Sequence, residues 1–208
     1  LGFMGSMVQA NSIGAAFTEA FGAFNITISP VVIGVIVAAV AAFVFLGGTQ
    51  RLASVVEKVV PIMAGVYIVG SLILIIMNIA NLPAAIKMIF VGAFDPQAVL
   101  GAGAGIAVKE AIRFGVARGL FSNEAGMGST PHAHARATAE NPHKQGLCAM
   151  ISVFIDTFVI LNLTVFSVLT TGALESGKNG TALTQAAFMR GFGTFGIVFV
   201  AVCVLFFA

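Results

Sequence analysis

Charge is what this chain has least of. Only 9% of its 208 residues are Asp, Glu, Lys or Arg, against roughly 25% in a soluble domain. It therefore lacks the side chains needed to cover a water-facing surface. Ten cations stand against eight anions, a balance too even to imply a nucleic-acid partner. Cysteine is also scarce. Cys148 and Cys203 both fall in apolar stretches and read as space-filling thiols rather than a disulfide or a metal site. No polar/apolar alternation is sustained, which argues against a transmembrane barrel, and no short-period repeat is visible. The chain opens at Leu1 without a charged leader and stops at Ala208 within an apolar run. It is read as an internal fragment of a longer protein, one transmembrane domain over residues 1–208.

What is present is hydrocarbon. Hydrophobic residues make up 59% of the chain and the mean hydropathy is +1.05, so the fold class expected is an all-α integral membrane protein. Residues 1–18 carry no formal charge but include Gln9, Asn11 and Ser12, as a membrane helix with one polar face would. Residues 19–29 read as a connection, and 30–46 as an uncharged span long enough to cross a bilayer with a few flanking residues. Gly47–Arg51 break it, and 59–79 form the next span, opened by Glu57-Lys58 and closed near Asn81-Leu-Pro83. Residues 84–94 read as a surface-lying helix ended by Asp95-Pro96. Residues 101–117 carry Lys109, Glu110 and Arg113 and are too polar to face lipid. Asn141-Pro142 precede a long span, 146–171, whose single acid is Asp156. Residues 175–180 are a polar turn, and one further span starts at Thr181. The cations give an orientation: Arg51 and Lys58 would share the cytoplasmic side with Arg136, His143 and Lys144, leaving Lys87 and Lys178 outside.

Within this hydrocarbon, residues 115–140 stand apart. Arg118-Gly-Leu-Phe-Ser-Asn-Glu-Ala-Gly-Met-Gly-Ser-Thr-Pro-His-Ala-His-Ala135 brings glycines, a carboxylate, an amide, hydroxyls and imidazoles together. Such groups are costly at membrane depth. Gly119, Gly126 and Gly128 are weak points for a helix, and Ser129-Thr130-Pro131 reads as a fresh helix start with a hydroxyl N-cap. The simplest geometry is helix, unwound segment, helix, an arrangement common in transporters of small zwitterions and Na+. Ser122, Asn123 and Glu124 fall where the chain would unwind, with oxygens suited to an ammonium or a dehydrated Na+. Glu124 is alternatively an ion-pair partner of Arg118 or Arg113. Phe121 is either core packing or the wall of a small pocket. Asp156, beside Thr157, is a candidate for ion coupling or gating. Gln9 and Asn11 are weaker candidates, since polar side chains also join helices. His132 and His134 are two apart and do not share a helix face, so no metal pair is expected.

Gly115-Val-Ala-Arg-Gly-Leu-Phe-Ser-Asn-Glu-Ala-Gly-Met-Gly-Ser-Thr-Pro-His-Ala-His-Ala135 closely resembles the signature region of the alanine/glycine:cation symporters, the bacterial sodium:alanine symporter family. Met7-Val-Gln-Ala-Asn-Ser12, Glu57-Lys-Val-Val-Pro-Ile-Met-Ala64, Ala111-Ile-Arg113, Gln145-Gly-Leu147 and Val153-Phe-Ile-Asp-Thr157 resemble it in the same order. His132 stands where members often have an apolar residue, and Arg136 where they often have Ala. The resemblance implies a leucine-transporter-type fold of two inverted five-helix repeats with broken first and sixth helices. This chain would run from about helix 3 into helix 8, with the motif as the broken sixth. It further implies that Phe121, Ser122, Asn123 and Gly126 line an amino-acid site, with Gln9 reaching it from the third helix. The remainder of that site, on the first helix, would lie outside this chain, which alone should not transport.

The function expected is Na+-coupled symport of small neutral amino acids, alanine or glycine first, in the bacterial plasma membrane. Its partners would be substrate, Na+ and lipid, with no cofactor beyond the coupling ion. The rivals are a transporter of another small solute, an ion channel, and an intramembrane serine hydrolase using Ser122 or Ser129 with His132 or His134.

Overall fold

A chain with so little polar side chain must satisfy its backbone internally, and every regular element among the described residues is helical. The structure, a computed structural model, describes residues 5–94, 104–124, 126 and 128–207. The expected helix stop at Asp95-Pro96 and the Gly101 start lie outside them, as do the side chains of Lys109 and Glu110. The helices are α1 (Met7–Gly22), α2 (Pro30–Phe45), α3 (Gly48–Met77), α4 (Leu82–Phe94), α5 (Ala104–Ser122), α6 (Ser129–Ala135), α7 (Pro142–Phe154), α8 (Asn162–Thr170), α9 (Thr181–Phe192) and α10 (Thr194–Phe207). A π-helical segment, Ile155–Leu161, joins α7 to α8. Gly48–Met77 and Pro142–Thr170 are long and apolar enough to cross a membrane. On α2, Val31, Val35, Ile36, Val40 and Phe43 are all exposed, a contiguous apolar face that water would not tolerate.

Several boundaries differ from the sequence reading. α1 continues through Glu19 to Gly22 and stops where Asn25 turns left-handed at φ 59°. There the Ile26 N–H reaches back to the Phe21 carbonyl at 3.0 Å, a Schellman-type closure. α2 starts as expected, with Pro30 in its first turn and the Ser29 hydroxyl accepting from the Val31 N–H at 3.4 Å. α3 begins at Gly48, not at residue 59. Glu57 and Lys58 are good helix formers and lie inside it, and Pro61 is carried within the helix. Arg51, in the first turn of α3, lies over the Phe43 ring, 3.8 Å from its centroid, so the break narrows to a tight corner at Leu46 and Gly47. The last span is also interrupted. Gly193, at φ 62°, separates α9 from α10.

Two compact units emerge, Leu1–Leu82 with Leu163–Ala208, and Pro83–Asn162. In the first, α1 packs on α10 through Ala16, Ala20, Ile197 and Ala201, flanked by Phe17, Val198 and Val204. Small residues permit this close approach. A Cβ at Gly196 would lie 2.2 Å from the Phe188 carbonyl oxygen, so only glycine lets α10 fold against the end of α9. Phe188 is fully buried and stacks between Phe199 and Tyr67, at centroid distances of 5.3 and 6.0 Å. The Tyr67 hydroxyl meets Thr164 Oγ1 at 2.6 Å, and Asn81 Nδ2 donates to the Thr170 carbonyl at 2.8 Å. Gln185, 1% exposed, donates from Nε2 to the carbonyls of Ala16 (2.9 Å) and Ile197 (3.2 Å). One amide therefore ties α9 to both α1 and α10. At one rim, Lys178 pairs with Glu19, while Arg190 donates to the Thr171 carbonyl at 2.7 Å.

Candidate functional site

The second unit holds the glycine-broken motif. α5 runs out at Ser122, its last bonds being Asn123 N–H to the Gly119 carbonyl (3.2 Å) and Glu124 N–H to the Phe121 carbonyl (3.1 Å). Among the described residues, three left-handed ones follow: Glu124 at φ 51°, Gly126 at 76° and Gly128 at 79°. Two are glycines, which adopt this backbone without penalty. Then α6 begins. The expected helix–unwound–helix geometry is present, with one correction. Gly128 is the N-cap and no side chain caps α6, so Ser129 and Thr130 do not spend their hydroxyls on backbone. Both donate instead to Glu124 Oε2, Thr130 at 3.2 Å and Ser129 closer. The carboxylate thus closes the unwound segment into a loop across which the two half-helices are joined.

The remaining candidates meet the π-helical segment in two adjacent rungs. Ser122 Oγ donates to Asp156 Oδ2 at 2.7 Å. Thr157 Oγ1 donates to Asn123 Oδ1 at 3.0 Å. Consecutive residues on one side thus face consecutive residues on the other. A π turn widens the helix and withdraws main-chain bonds from their usual partners. Here Asn162 Nδ2 takes up the carbonyls of Thr157 (3.1 Å) and Phe158 (3.2 Å). Phe121 is 41% exposed. Gly126 sits in the loop at its left-handed turn. Gln9 belongs to α1 in the first unit, where with Asn11 it lines a cleft of about 980 Å³ otherwise walled by residues such as Ile33 and Val37.

The imidazoles are engaged elsewhere. His132 Nδ1 meets the Gly128 carbonyl at 2.7 Å, and His134 Nδ1 meets the Gln145 amide. No group of three or more His, Cys, Asp or Glu forms a metal site among the described residues. Among them, too, Ser122 and Ser129 are each bonded to a carboxylate and neither to a histidine, so the hydrolase reading finds no serine–base pair. Sequence reasoning missed the pairing of Thr157 with Asn123 and the π segment that presents it. Asn162, five residues after Thr157, is the one signal that could have marked it.

The sequence matches the sodium:alanine symporter family over residues 1–208. It is 42% identical over 205 residues to the uncharacterized transporter YflA of Bacillus subtilis (strain 168), covering 97% of this chain and 42% of that protein. It is 38% identical over 207 residues to the probable sodium/glutamine symporter GlnT of the same organism, covering 99% of this chain and 41% of that one. It is 37% identical over 216 residues to the sodium/proton-dependent alanine carrier protein of Bacillus sp. (strain PS3), covering 97% and 46% respectively. The chain therefore spans less than half the length of these relatives.

Proposed function

We propose, from the fact that the chain belongs to the sodium:alanine symporter family and so forms part of a membrane transporter, that the whole protein couples Na+ entry to uptake of small neutral amino acids. Alanine and glycine are the first substrates to test. The observation that carries the reading is the break between α5 and α6, where Ser122 and Asn123 bond to Asp156 and Thr157, and Glu124 to Ser129 and Thr130, in a chain that is mostly apolar. Polar backbone at membrane depth is tolerated where it lines a binding cavity. On this reading α5 and α6 are the two halves of the broken sixth helix of a leucine-transporter-type fold, and the chain runs from about its third helix into its eighth. The protein would be a multi-pass component of the bacterial plasma membrane, with Na+ as its coupling ion.

Phe121, Ser122, Asn123 and Gly126 line the amino-acid site. Asp156 supplies fixed negative charge at the rung it shares with Ser122, which suits it to ion coupling or gating. Glu124 holds the two half-helices in register. Na+ and substrate bind together, and their joint preference for the closed site shifts the scaffold toward inward opening. Relatives bear names for both alanine and glutamine carriers, so side-chain size is a separate variable.

Counterflow of labelled alanine into liposomes containing the full protein should appear with Na+ and vanish without it. Glutamine should compete more weakly than glycine. Counterflow independent of Na+, or none at all, would overturn the coupling.

A further inference from the structure

The asparagine carboxamide has two faces of almost equal shape and opposite chemistry: an oxygen that accepts and an –NH2 that donates. Which one a binding site presents is decided by what holds the other. At Asn123 the oxygen is held, by the Thr157 hydroxyl at 3.0 Å. Among the described residues nothing accepts from its Nδ2, and the side chain is only half-buried.

Thr157 is placed to do this because its hydroxyl does not bond back within its own helix. Hydroxyls in helices ordinarily bond back to the carbonyl four residues earlier. Ser12 does so to Val8, Thr18 to Gly14, Ser152 to Cys148, Thr170 to Phe166 and Thr171 to Ser167. Thr157, in the π segment, donates its single proton across to another element instead. The neighbouring rung has the reverse polarity. The Ser122 hydroxyl donates its hydrogen bond to Asp156 Oδ2. That leaves lone pairs on Ser122 and negative charge on Asp156.

We propose that Thr157 is a positioning residue that fixes the polarity of the binding site. By holding Asn123 Oδ1 it turns the two N–H donors of Asn123 toward a substrate carboxylate, while the Ser122–Asp156 rung offers acceptors to the ammonium or the coupling cation. This rests on the amino-acid symport reading above. It adds a requirement: the site recognises ligands that carry an anionic and a cationic end on neighbouring atoms, and amines that lack the carboxylate are excluded at Asn123. A zwitterion is thereby oriented by two adjacent residue pairs with no full cation in the donor role.

The test uses the full protein in liposomes, with alanine uptake measured at saturating Na+ and Na+ activation measured at saturating alanine. Thr157→Val keeps the shape but frees the amide to turn. It should raise the KM for alanine about tenfold, in line with the loss of one oriented hydrogen bond to a charged group, and leave half-saturating Na+ within about twofold. Thr157→Ser restores the donor and should recover most of the affinity. Asn123→Asp keeps the acceptor that Thr157 needs but exchanges the N–H donors for oxygen. It should weaken alanine binding at least about a hundredfold, because a carboxylate then faces the substrate carboxylate where donors stood. Alaninamide, which has no carboxylate, should compete poorly in the wild type. A Thr157→Val protein with the wild-type KM, one whose Na+ activation shifts in step with alanine, or a Thr157→Ser protein that recovers nothing, would each overturn the assignment. If the wild type itself takes up no alanine, the symport reading fails and this inference goes with it. If the wild type transports and only the variants disagree, this inference alone fails.

Discussion

Glu124 occupies a left-handed backbone that costs an L-residue about 1–2 kcal/mol, and its carboxylate offsets that by collecting two hydroxyls. Gln185 poses a related problem in the first unit. Its Nε2 serves two carbonyls, but its buried Oε1 has no partner among the described residues. Gains and losses therefore nearly cancel. Gln185→Leu discards two hydrogen bonds and one orphaned oxygen together, and should change stability by no more than about 1 kcal/mol, because interhelical hydrogen bonds in membranes average roughly 0.6 kcal/mol. Gln185→Glu removes the donors and faces the Ala16 and Ile197 carbonyls with a carboxyl group, and should cost more than about 2 kcal/mol. Thermal unfolding in detergent separates the two, and equal losses would show that the donors alone matter. These residues were unequally legible. Asp156, Ser122 and Asn123 stand out in sequence because each interrupts hydrocarbon. Gln185 lies in the already polar 181–190 stretch, where nothing marks it. Thr157 was noticed only as a neighbour of Asp156, since sequence distance does not reveal a partner thirty-four positions away. The ion-pair alternative for Glu124 looked to the preceding arginines, whereas a left-handed turn carries the carboxylate to hydroxyls that follow it.

At the scale of elements, α2 and the α5–loop–α6 break were legible because chain punctuation and geometry coincide there. Ser29-Pro30 is a cap and a first turn, and Gly126 and Gly128 really are left-handed. The start of α3 was not, because a polar, helix-favouring run such as Thr49–Lys58 reads equally well as a connection. The π segment was invisible, since its composition matches that of the α-helix around it. The division of the last span at Gly193 was missed for a different reason: glycine is common in membrane helices, and only the packing reveals which one breaks the chain. That packing makes a sharp prediction. Gly196→Ala places a methyl group 2.2 Å from the Phe188 carbonyl oxygen, a backbone atom that cannot rotate away. The substitution should destabilise by at least about 1–3 kcal/mol, measured as a fall in detergent melting temperature. Full tolerance would mean that α9 and α10 do not meet there.

At the scale of the molecule, the expected division of cations across the membrane can be put to a direct test. Lys178 pairs with Glu19, so the polar turn and the end of α1 lie in one layer. Each side chain is about 40% exposed, and the pair contributes at most about 1 kcal/mol, so its value is as a marker of sidedness. In a cysteine-free background, single cysteines at Lys178 or Lys87 should react with an impermeant maleimide added outside intact cells, and cysteines at Arg51 or Lys144 only after lysis. Labelling of Lys144 from outside would invert the topology. The general class, an all-helical membrane protein, followed from composition alone. The two-unit division did not, because it depends on which distant helices share a core. Its consequence is one of timing. The Ala16–Ile197 and Ala16–Gln185 contacts join parts of the chain separated by an entire compact unit. At about 5–20 residues per second the ribosome needs on the order of ten seconds or more, after making α1, to deliver the partners that will cover it. The inner face of α1 must therefore wait, beside the growing chain, for a neighbour not yet synthesised.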